Sequence, residues 1–536
     1  MTRISAAIIA AALVILALAG GATQPAAADT GALKTYMVVF DGTTGEDGTY
    51  AVETTYAVLC TYAVGGDYAV TGQYAVGCNY AVTSAYAVYA VAQDYAVQLV
   101  EAAGGTVAAD LLQQTGTMVV KSANQGFAQA MRSYAVVDEV AEDWAWKAQP
   151  TLDEALGSGT LNLVDASRVP GGGPEQSSDP LESLQWNMDA IDASEAHAVE
   201  AGARAVEVGI LDSGIDGTHA DFVADTGGAN VDCAKGRDFV ALGPGIGNPA
   251  PCVDNQFHGT HVAGIVAAQA NAHGVVGVAP NVTLVPIKVC DAPGFCYSSA
   301  TVAGITYAGD AKLEVINMSF FVDDDELAQS HELKCMSDPQ QAAFRTANER
   351  ALQYARKQGV TLVAALGNSD TDLGAPSPDG DDCAVVPAEA EGVIGTSALG
   401  PENEKAYYSS YGAGAADVAA PGGNPEFLEE TCVDEVLSTI PGQQWGCFSG
   451  TSMASPHTAG VAALIVSRFG KVGKDGDVEI PPGRVADILQ STTIDQGLPG
   501  YDECFGHGRI NALRAVTRNT SAVYDAAAPF CEEYSD

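Results

Sequence analysis

Positive charge is scarce in this chain: 24 Lys and Arg stand against 67 Asp and Glu, for a formal net charge of −43 at pH 7. Nucleic acid and anionic membrane surfaces are therefore poor partners, whereas calcium, cationic peptides and salty surroundings suit the charge better. Long apolar runs are also missing. Beyond the short run Ile8 to Ala19, no segment reaches the roughly 18 consecutive apolar residues of a membrane helix, so no stable membrane association is expected. Cys-x-x-Cys spacing is absent, which removes the usual structural zinc reading.

What is present begins with an export signal. Met1-Thr2-Arg3, the apolar run and Ala26-Ala27-Ala28 form the charged start, short apolar centre and small-residue cleavage site of a secretory signal peptide over 1–28. A secreted product follows. Twelve cysteines agree with an oxidising destination, and ten of them, from Cys233 to Cys531, suffice for five bridges. Sequence does not fix the connectivity. Nearest-neighbour pairing is expected for Cys233/Cys252, Cys290/Cys296 and Cys432/Cys447, because each interval spans a loop.

The 536 residues, 47% of them hydrophobic, suffice for a large core and at least one further domain. In the N-terminal third, Tyr36–Phe40 and Thr117–Lys121 read as strands. Between them Tyr-Ala-Val recurs every six residues from Tyr50 to Tyr86 and again at Tyr89 and Tyr95, a repeat region over about 50–97. Six is even, so a strand keeps each Tyr on one face while a helix rotates it by about 240° per unit, and a helix is disfavoured here. Leu152 to Ser178 is rich in Gly, Ser and Pro and reads as an exposed connection. From Leu181 onward, strands such as Val206–Leu211, Thr283–Val289, Val315–Met318 and Thr361–Ala365 alternate with helical runs such as Ser299–Gly309 and Gln340–Gln358. That alternation predicts an α/β domain whose mainly parallel sheet carries helices on both faces.

Three segments carry chemistry. Asp212 ends the apolar run Val208–Leu211 and precedes Ser213-Gly214, His258 opens His258-Gly259-Thr260-His261-Val262-Ala263-Gly264, and Ser452 lies in Gly450-Thr451-Ser452-Met453-Ala454-Ser455-Pro456. A serine hydroxyl is a weak nucleophile until an imidazole takes its proton, and a carboxylate must hold that imidazole in the right tautomer. Asn368, closing Val363–Gly367, offers an amide donor for a developing oxyanion. Taken singly, Asp-Ser-Gly is a common turn and a Ser before a helix a common cap.

Together, and in the order Asp, His, Asn, Ser, these motifs resemble the secreted subtilisin-like serine proteases over roughly Leu181 to Thr517. The resemblance implies Asp212, His258 and Ser452 as the triad and Asn368 as oxyanion donor, with His261 and His457 structural. It also implies a small α+β propeptide over 29–150 acting as intramolecular inhibitor, a connection with the maturation site over 151–180, a peptidase domain over 181–520 and a tail over 521–536. The expected activity is serine endopeptidase action on protein or peptide substrates by a monomer, with broad extracellular digestion ahead of selective processing or a non-catalytic binding role.

Ala267 to Pro280 aligns without gaps to the family loop that wraps a calcium ion. The resemblance implies Asp221, the Asn271 amide and the carbonyls of Gln269, His273 and Val275 as calcium ligands, with Glu182 the match for a further one near the mature N-terminus. Asn271 alone equally suits a turn, and the acidic run Asp323–Glu326 reads as a solvated loop. Two departures bear on substrate: Asn317-Met318-Ser319 is followed by Phe320-Phe321 where the family has glycines, and Leu366 replaces a small residue beside Gly367-Asn368, which is expected to narrow the primary pocket.

Overall fold

The computed structural model describes residues 32–40, 43–44, 50–51, 85–164, 179–224, 228–243, 250–321, 334–375, 383–425, 432–474 and 476–525. The signal peptide, most of the Tyr-Ala-Val repeat, the run Asp323–Glu326 and the end of the tail lie outside these residues.

The N-terminal unit contains β1 (Lys34–Phe40), α1 (Ala85–Ala102), β2 (Gly105–Leu111), β3 (Thr117–Ser122), α2 (Phe127–Arg132) and β4 (Val137–Glu142), with sheet order β2-β3-β1-β4. The alternation of β1 explains its two sides. Tyr36, Val38 and Phe40 face a small core with Leu99, Val100, Phe127 and Met131, while Met37 and Val39 join the core of the larger domain. The helix α1 corrects the strand-based reading of the repeat's end. Its buried positions Ala96, Leu99 and Val100, with Ala103 just past its end, recur at helical spacing, and this period wins over the hexad once Tyr89 and Tyr95 break the strict register.

Chain order continues through β5 (Ala145–Lys147), α3 (Leu152–Ser158) and β6 (Asn162–Val164). The stretch expected to be an exposed connection is thus structured up to Val164. Thr151 and Glu154 form a reciprocal capping box that starts α3. Ala155 and Leu161 are buried in the large domain's core, and apolar burial of this kind outweighs the loop-like composition.

The large domain is built on β7 (Glu207–Asp212), β8 (Arg237–Asp238), β9 (Thr283–Lys288), β11 (Val315–Met318), β12 (Thr361–Ala365), β13 (Val393–Leu399) and β14 (Val418–Pro421), with the short strand β10 (Phe295–Tyr297) outside the sheet. The sheet is parallel throughout and runs β8-β9-β7-β11-β12-β13-β14. Helices α4 (His258–Ala267) and α7 (Thr451–Phe469) cover one face, α5 (Ser298–Asp310) and α6 (Pro339–Lys357) the other. Within β7, Val208 and Ile210 enter the first core and Leu211 the second. A hairpin of β15 (Val436–Ile440) and β16 (Gln444–Phe448) completes the fold and receives β6 as a third antiparallel strand.

The chain leaves β7 for one side of the sheet and later crosses to β11 on the other, so the strand order reverses beside β7. In parallel α/β sheets such a reversal opens a crevice at the carboxyl ends of the strands. Asp212 ends β7, Ser319 follows β11, and Gly367-Asn368 follows β12 on that same edge. The disulfides Cys233–Cys252, Cys290–Cys296 and Cys432–Cys447 are present, as the nearest-neighbour reading expects.

Candidate active site

His258 stands at the first position of α4, wholly buried. Its Nδ1 lies 3.0 Å from Asp212 Oδ1 and 2.9 Å from Oδ2, so the ring is held by a carboxylate at one nitrogen. Its Nε2 is buried without a protein partner, which leaves that nitrogen available for a proton in transit. Close packing dictates the next residue: a Cβ on Gly259 would stand 2.1 Å from the Gly214 carbonyl oxygen.

Ser452 begins α7 in the turn after Gly450, whose φ of 153° suits glycine. Pro456 lies four residues on and has no N–H, so the Ser452 carbonyl loses its helical donor. Ser319 supplies the replacement, its Oγ donating to Ser452 O at 2.8 Å, and Asn317 Nδ2 holds Ser319 Oγ at 2.8 Å. The Ser452 hydroxyl itself donates to Ser319 O at 3.1 Å. Asn368 Oδ1 accepts from Thr451 N at 2.9 Å and Thr451 Oγ1 at 2.8 Å. This turns the amide nitrogen toward the Gly450 turn, 3.4 Å from where a Cβ of Gly450 would be.

The other two histidines are tied into the scaffold. His261 Nε2 meets the Val436 and Gly446 carbonyls, and His457 bridges the Met453 carbonyl and Asn187. Burial lowers their pKa values to about 3 and about 4, so both stay neutral in ordinary buffers.

The cleft edge is occupied by the chain's own N-terminal region. Strand β5 pairs antiparallel with β10, Trp146 opposite Cys296, and Ala148 N donates to Gly294 O at 3.0 Å. This is strand addition at an edge, a common way of binding peptides. Trp146 is buried against Trp144, Phe320 and Phe344, with ring centroids 5.8 to 6.2 Å away. Gln149 Nε2 then reaches Ser319 O at 3.4 Å, and Gln256 Nε2 donates to Pro150 O at 2.5 Å while its Oε1 accepts His258 N at 2.7 Å. The segment therefore passes from neighbours of Ser452 to neighbours of His258.

Leu366 is wholly buried in the second core with its Cδ1 3.3 Å from where a Cβ of Gly395 would be. The small neighbour Gly395 makes the room for it. Phe321 Cδ2 lies 3.8 Å from a Cβ placed on Gly367, beside the Gly367-Asn368 turn. Gln256 carries no spacing signal in the sequence, and Ser319 and Thr451 enter there only as parts of longer motifs.

Asp221 stands at the loop suggested for calcium. Its Oδ2 accepts from Trp445 Nε1 at 2.7 Å and Val275 N at 3.0 Å, its Oδ1 is buried without a protein partner, and burial raises its pKa. Gly274 is required beside it, since a Cβ there would fall 1.8 Å from Trp445 Nε1. Asn271 Nδ2 donates to Ala220 O at 2.9 Å and its Oδ1 accepts His273 N at 3.1 Å, while Gln269 Nε2 donates to Phe222 O at 2.7 Å. Glu182 is a correction: it accepts Ser194 Oγ at 3.0 Å, and Asp179 meets the loop instead, 3.1 Å from Asn271 N and from His273 N. Only Pro180 and Leu181 separate the two carboxylates, and the turn they form directs the earlier one inward. No cluster of three or more His, Cys, Asp or Glu side chains suited to a metal occurs among the described residues. The orphaned Asp221 oxygen nonetheless fits a hard cation held mainly by carbonyl oxygens.

Comparison with known proteins agrees with this geometry. Residues 203–508 match the profile described as the Subtilase family. The chain is 34% identical over 320 residues to the thermophilic serine proteinase of Bacillus sp. (strain AK1), a match covering 60% of this chain and 63% of that protein. It is also 34% identical over 335 residues to subtilisin DY of Bacillus licheniformis, covering 62% of this chain and 99% of that one. Among solved structures, a lanthipeptide protease superposes with a TM-score of 0.52 at 26% identity, covering 65% of this chain and 99% of its own. The epidermin leader peptide processing serine protease of Staphylococcus aureus shares the fold across 91% of this chain and 99% of its own, with a TM-score of 0.61 at 17% identity.

Proposed function

The chain belongs to the subtilase family of serine endopeptidases, and on that premise we propose that it is exported as a propeptide-inhibited precursor and hydrolyses peptide bonds with Asp212, His258, Ser452 and Asn368. One observation carries the reading: a buried imidazole is clamped by a carboxylate at Nδ1 and unpartnered at Nε2, at the sheet edge where Asn368 follows β12 and Ser452, opening α7, donates to Ser319 O.

In this mechanism His258 Nε2 takes the Ser452 hydroxyl proton as Oγ attacks the peptide carbonyl. The imidazolium that forms is stabilised by Asp212. Asn368 Nδ2 and the Ser452 N–H donate to the oxyanion, an arrangement held ready before substrate arrives because Thr451 fixes the Asn368 oxygen. His258 next protonates the leaving amine, and water, deprotonated by the same ring, hydrolyses the acyl-enzyme. Substrate enters as an extended strand along β10, the track that Ala145–Gln149 occupies in the intact chain.

That occupancy supports the inhibitory role of residues 29–150. Broad extracellular digestion is the reading favoured by likeness to the subtilisins. Selective processing is the second reading, supported by the likeness to a lanthipeptide protease. Subtilisins commonly bind calcium, and here Asp221, Asn271 and the carbonyls of Gln269, His273 and Val275 would hold the ion, which would neutralise a buried carboxylate. Incubating the matured protein with a peptide library and sequencing the products tests the assignment: cleavage within varied sequences supports broad digestion, a single cut motif the processing role, and no cleavage refutes both.

A further inference from the structure

We propose that Asp254 is a positioning residue for the Asp212–His258 pair, acting through Ser213 and the backbone of the turn that presents His258; the proposal rests on the triad reading above. Asp254 is buried four residues before His258. Its Oδ1 accepts from Ser213 Oγ at 3.0 Å, Gln256 N at 3.0 Å and Phe257 N at 3.1 Å. Its Oδ2 accepts from Thr260 N at 2.9 Å and Thr260 Oγ1 at 2.7 Å. Ser213 Oγ in turn accepts Gly259 N at 3.0 Å, and Ser213 N donates to Asp212 Oδ1 at 2.7 Å.

The consequence is a closed circuit. Every backbone N–H from Gln256 to Thr260 is taken by the side chain of Asp254, Gln256 or Ser213. Phe257, next to His258, has φ 148° and ψ −30°, a conformation that L-residues adopt only when their surroundings over-determine it. Asp254 accepts the N–H of that residue. A second tie comes from Lys288, opposite Asp212 in the neighbouring strand, whose Nζ donates to Val253 O at 2.8 Å and Asn255 Oδ1 at 3.2 Å. The loop carrying Asp254 is thus anchored to the sheet, and Asp254 carries that anchorage to both partners of the pair. Neither Asp212 nor His258 can shift without breaking a charge-assisted hydrogen bond.

The test uses the full chain after self-processing, with active sites counted by a fluorophosphonate, comparing Ser213→Ala, Ser213→Thr and Asp254→Asn. Removing the hydroxyl in Ser213→Ala is expected to lower kcat about 10-fold and Asp254→Asn about 100-fold, the scale of a small misplacement of catalytic groups. KM should stay within about two-fold, since neither side chain is on the substrate track. The far-downfield proton resonance of His258 Nδ1–H should move or broaden in Ser213→Ala and return in Ser213→Thr, a readout that simple loss of stability does not produce. The double variant should be no slower than Asp254→Asn alone, because both break one circuit. If Asp254→Asn does not accumulate folded, the Ser213 pair decides. Wild-type kcat and an unmoved resonance in Ser213→Ala overturn the proposal, while a peptidase still active as Ser452→Ala would instead refute the triad on which it rests.

Discussion

Ser452 Oγ and the side-chain amide of Gln149 donate to one atom, the Ser319 carbonyl oxygen, at 3.1 and 3.4 Å. The main-chain nitrogen of Gln149 donates to Gly294 O at 3.3 Å, and its own carbonyl oxygen lies 2.1 Å from where a Cβ of Gly294 would be. A segment of the N-terminal unit therefore reaches the surroundings of Ser452 with its Gln149 carbonyl facing Gly294. On the proposed reading, this arrangement would block the cleft without cutting at that bond.

Trp146 anchors the occupying segment in an apolar site. Trp146→Ala in the full chain should weaken self-inhibition by on the order of 10²–10³-fold, since truncating a buried Trp costs about 3–5 kcal/mol. The check is hydrolysis of a small chromogenic peptide before maturation, with precursor integrity followed on gels. Unchanged latency would show that strand pairing alone seals the cleft.

Asn368→Ala should lower kcat by roughly 10²–10³-fold with KM little changed, the effect of losing one oxyanion donor. Steady-state kinetics on the matured protein reads both constants. Thr451→Ser keeps the hydroxyl that holds Asn368 Oδ1 and should cost far less.

Calcium should stabilise the protein through Asp221. A ligand that binds only the folded state at a hundred times its Kd adds about 2.7 kcal/mol. The inactive Ser452→Ala chain should lose thermal midpoint on chelation, and Asp221→Asn should abolish that difference. An identical midpoint with and without chelator, and no calcium by elemental analysis, would remove the ion from the account.

Glu435 is buried with Asn162 Nδ2 2.9 Å from its Oε2, and burial raises its pKa to about 7. A raised carboxyl pKa means that the folded state holds a proton the unfolded chain releases near pH 4.5. Its contribution to stability is therefore complete below about pH 4.5 and is lost as pH rises through about 7. Glu435→Gln in the Ser452→Ala chain should be neutral at pH 4.5 and gain on the order of 1–3 kcal/mol by pH 8. Measuring midpoints of both chains across that range removes the general effect of the −43 net charge.

The sheet was legible because its strands are short apolar runs between helical periodicities: Val315–Met318 and Thr361–Ala365 carry the same limits in sequence and structure. The candidate site was legible because Asp212, His258, Asn368 and Ser452 lie in motifs whose spacing is local. The circuit around Asp254 was not, since it joins residues 41 apart through a single hydroxyl. Composition misled at Leu152–Val164, where polar residues hide the two apolar contacts, Ala155 and Leu161, that fix α3 and β6 to the core. Glu182 and Asp179 show a further limit: which of two nearby carboxylates turns inward depends on one backbone turn that sequence spacing does not reveal.

The central claim is that Ser452 is the nucleophile activated by His258 and Asp212. Reaction of the matured protein with a fluorophosphonate, followed by mass spectrometry of its peptides, tests it most directly. The account predicts one adduct, on Ser452, forming in proportion to the loss of peptidase activity and absent in His258→Ala. An adduct on another residue, or full peptidase activity in a protein completely labelled at Ser452, would contradict it.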